Sequence, residues 1–140
     1  MANTFASEVA GLDTTPVGNA NGALQGGRLR RFRATVTMAA QADGDTITLA
    51  SVPAGYAFAY GIINASATLG STTVAIGVSG TAAKYRAAAV FTAAAPTLFG
   101  VSTGVDDPPL TAGETVIATL GAAALPGSGT LIVDLYYSAP

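Results

Sequence analysis

The chain has 140 residues and a mass of 13.7 kDa, the size of one ordinary domain and too short for two well-cored ones. Half of it is apolar, 10% is charged and the mean hydropathy is +0.49, which excludes disorder along its whole length. With no cysteine and no histidine, disulfide frameworks, thiol catalysis, the usual zinc sites and imidazole mechanisms are excluded as well. Six basic residues, a net charge of −2 and a pI near 4.7 argue against a phosphate-binding surface, so nucleic acid is not an expected partner.

No stretch of about 20 residues is continuously apolar, so no membrane-spanning helix is expected. Met1 to Ala10 carries Glu8 and neither a basic patch nor a long apolar run. That is not a secretory signal, and the expectation is that the chain is made and kept in the cytoplasm until it assembles with something. Alanine fills 30 positions and threonine 18. Small and β-branched residues therefore supply much of the hydropathy, which suits closely packed sheets better than thick helical cores.

Residues 1–27 read as an arm, because Gly11, Gly18, Gly22, Gly26 and Gly27 punctuate a run without sustained periodicity. Its apolar residues Phe5, Val9, Leu12, Val17 and Leu24 are candidate anchors on a neighbouring chain, and a free tail is the alternative. From Leu29 to Met38 the sequence alternates, with Phe32, Ala34, Val36 and Met38 on one side, as in a half-buried strand. A turn at Gln41 to Gly44 leads to a second strand, Thr46 to Ala50, with Ile47 and Leu49 inward. After Pro53-Ala54-Gly55, period two puts Tyr56, Phe58, Tyr60 and Ile62 on one face of a third strand and Ala57, Ala59, Gly61 and Ile63 on the other.

Thr72 to Val78 reads as the next strand, with Val74, Ile76 and Val78 on one face. The alanines of Lys84 to Ala95 favour helix, but the run is short and closes at Pro96, so it reads as a helical turn or an excursion loop. Thr97 to Val101 is a brief strand, and Asp106-Asp107-Pro108-Pro109 is a surface loop. Glu114 to Leu120 and Thr130 to Ser138 are the last strands, expected to form a terminal hairpin across Pro126-Gly127-Ser128-Gly129. The fold class is all-β: an antiparallel β-sandwich or jelly-roll-like barrel over residues 28–140, with an extended N-terminal arm.

Chemistry is scarce. The pairs Asp43/Asp45 and Asp106/Asp107 are the carboxylates nearest to a glycosidase or calcium pattern, but both sit in turn segments where aspartate bonds the local backbone. No phosphate-cradling motif or nucleophile elbow is present, so no catalytic residue, metal ligand or cofactor is assigned and an enzyme is not expected. Arg28, Arg30, Arg31 and Arg33 hold four of the six basic residues. They are read as ion-pairing groups, either within the fold or across an interface. The exterior is poor in lysine and glutamate, as surfaces that become interface are.

The run Asp43 to Tyr56, with Gly44-Asp45-Thr46-Ile47 and Pro53-Ala54-Gly55, resembles an element of small structural proteins of tailed bacteriophages. So do Gly70 to Gly77, Lys84-Tyr85 ahead of the alanine run, and Gly113 to Tyr137. The resemblance covers about residues 30–138. It implies a capsid decoration (cement) or head-fibre type of protein that sits on the assembled head, often as a homotrimer, with the major capsid protein as partner. On that basis Phe5, Val9, Leu12, Leu24, Arg28, Arg30, Arg31 and Arg33 are the candidate interface residues. A tail component is an alternative, and so is a carbohydrate-binding virion module using Tyr56, Phe58, Tyr60 or Tyr136, Tyr137 as a stacking platform.

Overall fold

The computed structural model describes residues 26–100 and 108–139. Its elements are strands: β1 Arg28–Thr37, β2 Thr46–Val52, β3 Ala57–Ala65, β4 Thr73–Val78, β5 Thr81–Val90, β6 Thr97–Phe99, β7 Glu114–Gly121 and β8 Thr130–Ala139. They form two four-stranded antiparallel sheets, ordered β1-β8-β3-β6 and β2-β7-β4-β5. Strand β1 pairs with β8, β2 with β7, β3 with β6 and β4 with β5. This is one long antiparallel ribbon, folded at its midpoint and rolled up so that successive pairs alternate between the sheets: a jelly roll.

Alternation along the strands builds the core. Ile63, Leu131, Val133, Leu135 and Tyr137 of the first sheet face Val74, Ile76, Val116, Ala118 and Leu120 of the second, and all are essentially inaccessible to water. Burial of such side chains contributes about 1.5–3 kcal/mol each. In β1, Phe32, Ala34 and Val36 pack onto this core as the alternation predicts, and Met38 beyond it is fully buried.

The expected face of the third strand is corrected by a bulge. The register of β3 on β8 shifts between Phe58 and Tyr60, so Phe58 lies opposite Tyr137 and Tyr60 opposite Tyr136. Consecutive residues of β8 point to opposite faces, hence Phe58 turns into the core and Tyr60 to the outside. Beyond the bulge Ile63 is buried and Ile62 is partly exposed, the reverse of strict period two.

The helical turn or excursion expected at Lys84 to Ala95 is also corrected: up to Val90 this segment is strand β5, an edge strand on β4. Pairing with β4 overrides the helix preference of alanine. The pairing carries two register shifts, and the Arg86 guanidinium fills the irregularity by donating to the carbonyls of Val74, Ala89 and Val90. Desolvation there pulls the Arg86 pKa downward.

The terminal hairpin does not form. Strand β7 lies between β2 and β4, whereas β8 lies between β1 and β3 in the other sheet. The link from 122 to 129 crosses from sheet to sheet, a separation of about 10 Å that a tight two-residue turn does not span. It is fastened on the way. The Leu125 N–H donates to the Gln41 carbonyl at 2.9 Å, and the buried Thr72 hydroxyl donates to the Ala124 carbonyl at 2.7 Å. At the brief strand, only Thr97 to Phe99 is β6, and Val101 lies outside the described residues.

Candidate interaction surface

The four clustered arginines all fall on β1, an edge strand, while Phe5, Val9, Leu12 and Leu24 lie outside the described residues. Arg33 is engaged within the fold. Its Nε and Nη2 donate to the two carboxylate oxygens of Asp134 on β8 at 2.7 and 2.6 Å, a bidentate pair. The Arg33 guanidinium holds the Asp134 carboxyl below its ordinary pKa; burial opposes this, and Arg31 adds a smaller favourable contribution. Arg28, Arg30 and Arg31 are exposed.

The pair belongs to a broader surface, the outer face of β1-β8-β3-β6. Register places three rows across it: Arg31, Tyr136 and Tyr60; Arg33, Asp134, Ile62 and Leu98; Thr35, Ile132 and Asn64. Tyr60 and Tyr136 stack with centroids 4.7 Å apart and planes 20° from parallel. Leu98 is 56% exposed. Between Tyr136 and Pro96 opens a hollow of about 260 Å3, lined by the apolar Ile62 and Ile132 interleaved with the polar Arg33, Asp134 and Asn64. Tyrosine, arginine and branched aliphatic side chains without lysine or glutamate make the composition of a protein contact rather than of a solvated face.

Sequence reasoning missed this surface because it placed Tyr60 and Ile62 with Phe58. The signal was present in the last strand: alternation there puts Ile132, Asp134 and Tyr136 together, opposite Leu131, Val133, Leu135 and Tyr137. Of the proposed stacking platforms, Phe58 and Tyr137 are buried and Tyr56 packs edge-on against Phe32, with 6.0 Å between ring centroids. Only Tyr60 and Tyr136 face outward.

At one end of the core a second cluster joins the sheets. Glu114 accepts hydrogen bonds from the Tyr85 hydroxyl and, at 3.5 Å, from the Tyr137 hydroxyl, and it pairs with Lys84. Burial, then the Glu114 hydrogen bond, push the Tyr85 pKa far upward, so the phenol stays a donor. Phe58, Tyr85 and Tyr137 pack around it with ring centroids 4.2 to 6.2 Å apart. The carboxylate is occupied by donors of its own fold, which makes it a clasp between sheets. A cleft of about 210 Å3 opens beside it, between Phe58, Lys84, Tyr85 and Pro108 to Thr111.

Asp45 accepts the Ala42 N–H at 2.8 Å, which is the local turn role; Asp106 and Asp107 lie outside the described residues. Among the described residues no group of three or more acidic, histidine or cysteine side chains is placed to hold a metal ion.

No known family model matches the sequence, and no curated protein matches it. Solved structures do. A chain in the capsid asymmetric unit of cyanophage Pam1 is similar at a TM-score of 0.64 and 17% identity, over 81% of this chain and 86% of that one. A chain in the capsid of Ralstonia phage GP4 is similar at a TM-score of 0.63 and 20% identity, over 94% of each. A chain in the acid-stable capsid of Helicobacter pylori bacteriophage KHP30 follows at 0.52 and 12% identity, over 80% and 88%. The chain has the fold of these phage capsid chains.

Proposed function

We propose that this chain is a non-enzymatic virion structural protein that binds the outer surface of a phage head and stabilises its lattice, a decoration or cement role. The observation that carries the reading is the likeness to a chain in the GP4 phage capsid over 94% of both chains. Identity that low argues for a shared fold, and the rest of the reading is physical. The jelly roll is a rigid body with one broad outer face rich in tyrosine, arginine and isoleucine, suited to the major capsid protein as partner. Many copies multiply individually modest contacts through avidity. In this reading the arm, through Phe5, Val9, Leu12 and Leu24, and the strand carrying Arg28, Arg30, Arg31 and Arg33 serve trimer or lattice contacts.

The test is co-sedimentation of the purified protein with undecorated heads, followed by the temperature at which those heads release DNA. Saturable binding and a raised release temperature are expected. Absence of binding overturns the reading. A second reading, a head-fibre or tail module that binds host carbohydrate, draws on the outward Tyr60–Tyr136 stack. Glycan binding by the isolated protein, together with no affinity for heads, would favour it.

A further inference from the structure

We propose that the hollow on the outer face of β1-β8-β3-β6 is the seat for an apolar side chain from residues 1–25 of a second copy of this chain. The inference rests on the virion reading in one respect, that a virion brings many copies together. The hollow is large enough for one leucine- or phenylalanine-sized side chain and offers it apolar contacts from Ile62, Ile132 and Pro96, set among Arg33, Asp134 and Asn64. Its polar lining is built. Arg33 is held in place by Asp134, and Arg31 stands in the neighbouring row beside Tyr136, exposed. An apolar anchor with a carboxylate next to it suits this surface, because the anchor leaves water against the isoleucines while the carboxylate meets Arg31.

Residues 1–25 have that chemistry. They contain Phe5, Val9, Leu12, Val17 and Leu24, with Glu8 directly before Val9 and Asp13 directly after Leu12, and they contain no lysine or arginine. All six basic residues of the chain lie from Arg28 onward. The segment is therefore the acidic partner of a face bordered by arginines.

Geometry favours the other copy. Strand β1 runs from Arg28 toward Arg33, so the chain enters it heading for the hollow. To fill its own hollow the segment must double back over its own strand. Extended outward at about 3.3 Å per residue, 25 residues reach about 80 Å, far enough to cross a neighbouring domain.

The absence of native cysteine makes the test clean. Full-length chains carrying Leu12→Cys, or in parallel Phe5→Cys, Val9→Cys, Val17→Cys or Leu24→Cys, are mixed under mild oxidation with chains carrying Asn64→Cys at the rim of the hollow. Chains carrying Thr115→Cys, exposed on the other sheet, serve as the control partner. For at least one anchor position, the mixed disulfide with Asn64→Cys is expected to form about tenfold faster than with Thr115→Cys, because docking raises the local concentration. Equal rates at all five positions overturn the proposal. So does a disulfide that forms only within one chain when both substitutions are placed in the same molecule. Head co-sedimentation of the unsubstituted protein separates the two readings: retained binding with equal disulfide rates sinks the seat alone, and lost binding sinks the decoration role whatever the disulfides do.

Discussion

The ring of Phe99 lies over Gly61, its direct partner across β3 and β6, so closely that a Cβ on Gly61 would stand 2.1 Å from the ring. Strand β6 is three residues long. Much of what holds it to the sheet is therefore this aromatic cover of a glycine, a cross-strand pairing that stabilises otherwise weak strand positions. Gly61→Ala is expected to destabilise the fold by about 1–3 kcal/mol through overpacking, and Phe99→Ala by about 3–5 kcal/mol through lost burial. Because the alanine methyl enters space that the missing ring vacates, the double variant should cost less than the sum by more than about 0.5 kcal/mol. Urea denaturation of the four proteins measures the cycle, and strict additivity would contradict the contact.

Glu114 sits at an end of β7 and takes hydroxyls from both sheets, Tyr85 from one and Tyr137 from the other. Glu114→Ala removes the acceptor that the Tyr85 and Tyr137 hydroxyls share and is expected to cost about 1–3 kcal/mol. Glu114→Gln keeps an acceptor oxygen and should cost less, chiefly the Lys84 ion pair. Thermal denaturation followed by near-ultraviolet circular dichroism, which reports on those tyrosines, ranks the two. The reverse order would remove the clasp.

The depressed pKa of Asp134 sets a pH dependence with a definite sign. The native carboxyl binds its proton more weakly than the unfolded one, because Arg33 bonds the ionised form. Its contribution is therefore fully present above the unfolded value, about pH 4, and is lost as pH falls through the lower native value. Asp134→Asn should lower the melting temperature at neutral pH and make the decline below about pH 4 shallower than in the unsubstituted chain. Parallel acid limbs would show that the pair carries no such linkage.

If the outer face is the contact with the head, truncating its aromatic wall should weaken binding while leaving the fold alone. Tyr136 is partly exposed and its partner ring is Tyr60, so Tyr136→Ala creates no core cavity. A loss of about 2 kcal/mol in head affinity, or roughly thirtyfold in Kd, is expected with an unchanged melting temperature. Deleting residues 2–27 should likewise abolish particle binding or trimer formation without unfolding the domain. Particle occupancy and solution mass read the outcome, and unchanged occupancy in both variants would displace the contact to another surface.

How much of this was legible in the chain depends on where period two runs uninterrupted. In β1 and β8 it does, and the inward residues Phe32, Ala34, Val36, Leu131, Val133 and Leu135 follow from alternation alone. In β3 one extra residue at the bulge inverts the faces, and nothing in Phe58-Ala59-Tyr60 announces it, because small and aromatic residues suit either side. In β5, local alanine preference conflicts with tertiary pairing, and Arg86, whose long side chain satisfies the irregular carbonyls, becomes intelligible only once β4 is beside it. The Arg33–Asp134 pair joins positions 101 residues apart, a proximity set by topology. The residues left pairing within the fold or across an interface equally open for the four arginines; that Arg33 pairs within the fold required the register of β1 on β8.

The nested order of pairing also dictates a history for each molecule. The β4–β5 ribbon closes across a two-residue turn between Val78 and Thr81, so it can form as soon as both strands have been synthesised. Strand β1 precedes the other described strands in the chain, yet its ladder partner β8 follows all of them. The β1–β8 ladder therefore cannot close before β8 has been made, and the like charge of its four arginines disfavours pairing of an unpartnered β1 with the β1 of another copy.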